Sequence, residues 1–265
     1  MKRAGYTLGW LLTTLLVIAG VGVLIRLGFW QLDRLDQRRA FNARVLAQTA
    51  APQLQLGPDT LGLDLGSMEY RAVFVTGEYL HEQEVGLRNQ SLYGQPGYRI
   101  LTPLLIAGTK TAVLVDRGFV PSASAEPGEW ELFAEPGTVQ VEGIIRASQA
   151  APDFGGRTDP TPLPGEALLL WHLANIPLIA RQMNVPLLPI YIQQKPEGAT
   201  PEGGNAPGVP DPFEGITHPI RTQPALELTE GPHLGYAIQW FIFAAILGIG
   251  YPFFVIKEIR KEKHG

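Results

Sequence analysis

The chain has 265 residues, enough for one large domain or one domain with appendages. Its composition holds no cysteine, which excludes a disulfide framework, a thiolate metal site and thiol chemistry. Residues 30–235 carry 14 Lys and Arg against 23 Asp and Glu, whereas the two ends carry 7 basic and 2 acidic residues. An acidic middle offers no basic surface for nucleic acid, so nucleic-acid partners are not expected.

The apolar content is concentrated at those ends. After Lys2 and Arg3, residues 7–25 run for nineteen positions without a charge, longer than an ordinary signal-peptide core. No small-x-small cleavage site closes the run, so it reads as a retained helix that continues past Trp30. Trp30 suits a bilayer edge, where its ring and its indole N–H are both accommodated. Arg26, about one turn inside, can snorkel outward. From 31 to 48 the chain stays helix-compatible, with Leu32, Leu35, Phe41, Val45 and Leu46 set among charges.

A loop rich in Pro, Gly and Asp follows over 51–66. Short β-like runs at 70–79, 84–88, 98–105, 112–120 and 138–146 are divided by Gly- and Pro-containing turns, the pattern of an antiparallel sheet. Residues 173–184 read as a helix, with Pro177 tolerated in its first turn. Residues 188–194 read as one further strand. Seven Pro and five Gly between 196 and 224 indicate an extended linker or covering loop.

The C-terminal stretch carries no Asp, Glu, Lys, Arg or His from 236 to 256, again enough to cross a bilayer. Lys257, Arg260, Lys261 and Lys263 beyond it mark the cytoplasmic side, and two spans then place both termini there. The expected organisation is a cytoplasmic N-terminus over 1–6 and a transmembrane helix over 7–30. A β-rich extracytoplasmic domain over 31–230 follows, with its Pro/Gly-rich loop at 196–224. A second transmembrane helix over 231–256 and a basic tail over 257–265 complete it. The fold class is an α+β membrane protein: two transmembrane helices flanking a mainly antiparallel β-rich domain with at least one helix.

Signatures of catalysis are missing. None of the five serines lies in a G-x-S-x-G setting, and there is no phosphate-cradling glycine loop. Asp116-Arg117 reads as an ion pair orienting a turn at a strand end. His81, Glu82 and Glu84 read as solvated residues of a hairpin tip rather than metal ligands. His172 and His218 stand isolated. Three Met and no thiol disfavour copper carriage.

His233 differs from these. Gly231-Pro232 before it suits a helix start, with Pro at the first helical position. His233 then sits in the first turn, where the helix dipole disfavours added positive charge and one ring nitrogen stays free for a proton or a metal. At 3.6 residues per turn His233, Tyr236, Ala237, Trp240 and Ala244 share one stripe. Small alanines beside flat aromatics could admit a planar ring system such as haem, for which axial His is a recurrent ligand. The same residues would equally serve as an aromatic-belt anchor. The outer edge of this helix is expected to face Trp30 and Gln31.

An ordered series of motifs resembles the surfeit-locus family of cytochrome c oxidase assembly factors across nearly the whole chain. LGFWQLDRLDQR at 27–38 resembles the signature that leaves the first span. GEYL at 77–80, PGYRILTPL at 96–104, VLVDRGFVP at 113–121 and GTVQVEGIIR at 137–146 resemble its successive strand motifs, continued by Pro189-Ile190-Tyr191. HLGYAIQWF at 233–241 resembles the signature that opens the second span. Phe119, Asp116 and Pro232 depart from the family pattern, as does Asp36-Gln37-Arg38 after the first signature.

The resemblance implies a non-catalytic biogenesis factor acting on subunit I of haem-copper oxidases in the inner membrane, with haem a synthase as a further candidate partner. It implies that haem a is bound, with His233 as iron ligand. Trp30, Gln31, Tyr236, Gln239 and Trp240 are then the residues that shape the site. A scaffold that holds oxidase intermediates without any cofactor is the alternative. An enzyme with a convergent site in the middle domain is a third.

Overall fold

A computed structural model describes residues 2–264 except 153–154, 163–165, 197–212, 214–218, 224–225 and 227. The expected loop at 196–224 and His218 therefore lie largely or wholly outside the described residues. The chain divides into two compact units, Met1–Arg44 with Glu227–Gly265, and Val45–Leu226. In chain order the elements are α1 (Lys2–Ala50), β1 (Leu54–Leu56), β2 (Ala72–Tyr79), β3 (Val85–Leu92), β4 (Gln95–Ile106) and β5 (Ala112–Pro121). Then come β6 (Thr138–Ala147), β7 (Leu170–Trp171), α2 (Ile176–Ile179), β8 (Leu187–Gln194) and α3 (His233–His264).

The first unit is a pair of helices. Both contain stretches long and apolar enough to cross a membrane, Leu8–Ala50 and His233–Lys261. They run antiparallel, as three contacts along their length show. Thr14 Oγ1 lies 2.8 Å from the Tyr251 hydroxyl. A Cβ on Gly248 would sit 3.7 Å from Val21, and one on Gly28 would come within 2.6 Å of the Phe241 ring. Thr14, Val21 and Gly28 recur every seven residues, as do Ala237, Ala244 and Tyr251, which is the spacing of a two-helix seam. Small residues on such a seam let the backbones approach, the usual means of pairing helices where lipid removes a hydrophobic drive. Gly28 is required for that reason: any side chain there meets the Phe241 ring.

The second unit is built on an eight-stranded sheet in the order β1-β2-β6-β8-β5-β4-β3-β7. β2 also pairs with β4 through Gly77–Ile106, Glu78–Leu105 and Tyr79–Leu104. That extra pairing closes β2, β6, β8, β5 and β4 into a five-stranded barrel. Gly77 permits the closure, because a Cβ there would collide with the Leu105 carbonyl oxygen.

Alternate residues of each strand point inward. Val73 and Val75, Leu104 and Ile106, Val113 and Val115, Val141 and Ile145, and Ile190 and Ile192 fill the interior. Outside the barrel, α2 covers Leu87, Leu101 and Leu114 together with Trp171 and Ile179. Trp130 and Phe133 cover Ile100 and Val120.

All the expected strands are present. Apolar residues bounded by turn residues identify them, because each buries at least one face, in the barrel or, for β3, against the cover outside it. Two short strands, β1 and β7, were not expected; at three and two residues they are too brief for any periodicity to show. The sheet is mainly antiparallel, with parallel pairs β1·β2, β3·β7 and β5·β8. The helix expected over 173–184 is shorter: four α-helical residues followed by a 3₁₀ turn at Ala180–Gln182. Asn175 caps it by accepting from Leu178 N, one residue before Ile176, and Pro177 lies in the first turn as expected. Pro186 disfavours helix in the residue before it and so limits the run.

Three further expectations are corrected. Asp116 and Arg117 lie mid-strand in β5, buried, and point to opposite faces rather than pairing at a turn. Asp116 accepts from Arg99 Nε at 2.6 Å. Arg117, fully buried, enters one end of the barrel and donates to Glu84 at 2.8 Å and to Glu135 at 2.9 Å. It also donates to the Phe133 carbonyl and stacks on the Tyr79 ring.

Glu84 is likewise no solvated turn residue: Thr102 Oγ1 and a His81 ring nitrogen also meet it, at 2.8 and 2.7 Å. Strand pairing with β4 carries the start of β3 over the barrel mouth, and that tertiary placement buries it. His172 is not isolated, since its Nδ1 lies 2.9 Å from Asp159. Among the described residues, no group of three His, Asp or Glu is placed to hold a metal ion.

Candidate functional site

α3 begins at His233, one residue later than a proline-first start would place it. The Pro232 carbonyl accepts from Tyr236 N at 3.1 Å, and Gly231 adopts φ +69°, turning the chain into the helix. Pro232 thus supplies an acceptor for the first turn without needing an N–H of its own.

That turn sets His233 against α1. Its Nδ1 lies 2.8 Å from Gln31 Oε1. An amide oxygen only accepts, so the neutral tautomer that fits this contact is the one with the proton on Nδ1 and the lone pair on Nε2. A ring fixed through one nitrogen and free at the other is the arrangement by which proteins orient a metal-binding histidine.

The residues just before His233 run along α1 in the opposite direction. Asn42 Nδ2 donates to the Leu228 carbonyl at 2.8 Å, and Arg38 Nε to the Thr229 carbonyl at 3.0 Å. Arg39 forms a two-pronged ion pair with Glu230, both bonds 2.9 Å. Between this segment and α1 lies an open cleft of about 370 Å3, lined by Arg34, Gln37, Arg38, Phe41, Thr229, Glu230, Gly231 and His233. Its size is that of a small-ligand site.

The six residues expected to shape the site fall into two sets. His233 and Gln31 are joined directly. Trp30 and Tyr236, each about half exposed, and Gln239, also exposed, form no side-chain hydrogen bond among the described residues; Trp240 packs edge-on against Phe243. The alanine stripe is not an open slot: Ala237 and Ala244 are buried on the face of Phe241, Gly248 and Tyr251 that meets α1.

Sequence reasoning missed Arg34, Arg38 and Phe41 as lining residues. The available signal was their spacing of four and three, which sets them on one face of α1 one turn beyond Gln31.

The barrel mouth is the other concentration of charge. Burial by itself would raise the Glu135 carboxyl, but Arg117 and Arg221 outweigh it and hold the group below the usual glutamate range. Arg221 donates to Glu135 at 2.8 Å. Burial pushes the Tyr79 hydroxyl well above the ordinary tyrosine value. Paired in this way, these groups form one connected ion-pair cluster at the barrel mouth.

Two apolar helices, one at each end of the chain, flank in sequence a closed β-barrel domain, and a histidine stands where the second helix begins. Comparison with known proteins identifies that architecture. Residues 18–245 match the SURF1 family. A SURF1-like protein of Monosiga brevicollis is 32% identical over 83% of this chain and 78% of its own length. An uncharacterized SURF1-like protein of Mycobacterium bovis is 28% identical over all of this chain and 92% of its own. Surfeit locus protein 1 of Xenopus tropicalis is 24% identical over 81% of this chain and 66% of its own. The chain belongs to the SURF1 family, the cytochrome oxidase assembly factors that its motifs resemble.

Proposed function

We propose that this protein is a two-pass inner-membrane factor that binds haem a through His233 and presents it to oxidase subunit I. One observation carries the reading: Gln31 holds His233 Nδ1 and leaves Nε2 free beside an open cleft. Haem a, when bound, would supply an iron that the imidazole of His233 could ligate. Gln31 positions the ring; the exposed aromatic faces of Trp30 and Tyr236 offer apolar cover at the bilayer edge. Gln239 and Trp240 lie within two turns of His233 on α3 and complete the helix surface that the porphyrin would meet.

Both termini lie in the cytoplasm, with the basic tail on that side, and the barrel domain faces the opposite compartment. No step of this role requires the chain to catalyse a reaction. Haem a synthase, as the source of the cofactor, is a natural second partner.

The test is the haem content of protein purified from cells that make haem a. His233→Ala is expected to lose the bound haem absorption, and Gln31→Ala to keep a weakened and shifted band. Equal haem in wild type and His233→Ala removes the histidine from the role. Co-purification of oxidase intermediates with wholly haem-free protein would establish the cofactor-free scaffold instead.

A further inference from the structure

A single charge interrupts the apolar surface of the helix pair. Apart from Arg26, no Asp, Glu, Lys, Arg or His occurs between residues 4 and 32 of α1 or between 236 and 256 of α3. Gly28 packs on Phe241 and Val21 faces Gly248, which sets Arg26 about level with Phe243. Phe243 is seven residues from the start of the uncharged run of α3 at Tyr236, and thirteen from its end at Ile256. Arg26 therefore leaves its helix about 10 Å inside the nearer edge of the apolar band. It is exposed, and among the described residues it has neither a hydrogen bond nor an ion pair.

Two features decide what such a charge meets. A helix sends out its side chains tilted toward its own N-terminus. The nearer edge of the band lies toward the C-terminus of α1, so the Arg26 stem starts toward the middle of the band and away from the headgroups. Lipid tails offer no acceptor there, and an ionised side chain at such depth is retained by pairing with an opposite charge. The second feature is the surface beside it. Ala19, Gly22 and Arg26, three and four residues apart, form one exposed stripe on the side of α1 turned from the Thr14, Val21 and Gly28 seam. A Cβ on Gly22 would meet nothing within 4 Å, so another helix can approach closely.

We infer that this stripe docks a transmembrane helix of a different protein, whose Asp or Glu pairs with Arg26. A second copy of this chain cannot supply the acid, because neither apolar run contains one, and a symmetric pair would set Arg26 against Arg26. The guanidinium fork takes a carboxylate through two N–H bonds, which fixes the depth and rotation of the partner helix. The docking face lies on α1 alone and requires nothing of His233 or of a cofactor.

The probe is photoreactive benzoylphenylalanine placed at Val23, which is exposed and one turn from Arg26, in the full chain within its own cell membrane. Illumination is expected to give an adduct whose partner peptide, read by mass spectrometry, is a transmembrane segment carrying Asp or Glu. Arg26→Leu should cut the adduct about tenfold, and Arg26→Lys should keep most of it. Arg26→Asp combined with Arg in place of the partner's acid should restore the adduct that either change alone removes. A disulfide between Val21→Cys and Gly248→Cys should form in Arg26→Leu as in the parent, which separates lost docking from a lost helix pair.

A partner segment without a carboxylate, adducts only with this chain or with lipid, or a yield that Arg26→Leu leaves unchanged each overturn the inference. Loss of the disulfide in Arg26→Leu makes Arg26 part of the helix pair and overturns it as well. If co-purified phosphatidylglycerol, measured as lipid phosphorus, falls in Arg26→Leu while the protein adduct persists, Arg26 holds a lipid headgroup and the inference fails.

Discussion

The helix pair and the barrel solve opposite packing problems with the same side chains. In the barrel the large aliphatics are inside: Val73, Val115 and Ile190 have no exposed surface. In the helix pair they are outside: Leu16, Ile246 and Phe253 are 72%, 64% and 70% exposed, while Ala237 and Ala244 are buried. In water the drive is to remove apolar surface, at roughly 25 cal/mol per Å2. Helices long and apolar enough to sit in lipid gain nothing by hiding leucine, and pair through close approach and polar contacts such as Thr14 with Tyr251. Polar groups divide accordingly. The barrel ties its charges into an ion-pair cluster at one mouth, and the helix pair sets His233 and Arg34 in the wall of an open cleft.

The sharpest way to break that contrast is Arg117→Ala. It strips Glu84 of its guanidinium partner in the barrel mouth and leaves Glu135 to Arg221 alone, and denaturant unfolding should show a loss of about 3–5 kcal/mol. Arg39→Ala, which breaks an exposed pair, should leave the unfolding midpoint unchanged.

Next in size, Ile190→Ala opens a cavity in the barrel and should cost about 2–5 kcal/mol, whereas Ile246→Ala should shift the same transition by less than about 0.5 kcal/mol. Equal costs would mean that the exposed helix faces are packed against protein after all.

Gly28→Leu tests the helix pair from within. Overpacking of this kind costs about 1–3 kcal/mol. A disulfide between Val21→Cys and Gly248→Cys should therefore form readily in the parent and poorly once Gly28→Leu is added.

The smallest expected effect is on pH dependence. Glu135 titrates lower folded than unfolded, so its contribution is fully present above the unfolded value, about 4.3, and is lost as pH falls through the lower folded value. The stability gap between wild type and Glu135→Gln should be widest near neutrality and close in acid. A gap that is constant with pH would show that Glu135 acts through packing alone.

Much of this is legible in the residues, for physical reasons that differ by region. Uncharged runs at 7–25 and 236–256 announce apolar helices because length and composition alone set that requirement. Alternation in GTVQVEGIIR announces a strand with one face in a core, and the short apolar run VLVDRGFVP announces one that is buried on both faces. Within the site, His233 and Gln31 are both recognisable through the motifs that carry them.

The cleft lining is not legible. Arg34 and Arg38 read as ordinary helix charges until residues 228–231 are laid antiparallel beside them. Arg117 misleads for a similar reason. A dipeptide of opposite charges looks like a local pair, but within a strand its two members point to opposite faces, and only the tertiary fold supplies their separate partners.

By itself, then, the sequence determined the two apolar helices, the strands between them, the family and the histidine at the second helix's first turn. Each of these depends on local pattern or on an ordered series of motifs. Tertiary structure alone decided three things: that β2 reaches β4 and closes the barrel, that the alanine stripe is spent on helix pairing, and that an arginine-lined cleft stands beside His233. All three depend on contacts between residues some thirty to two hundred positions apart. Neither periodicity nor propensity records which distant surfaces meet, because both are set by a residue's own neighbours along the chain.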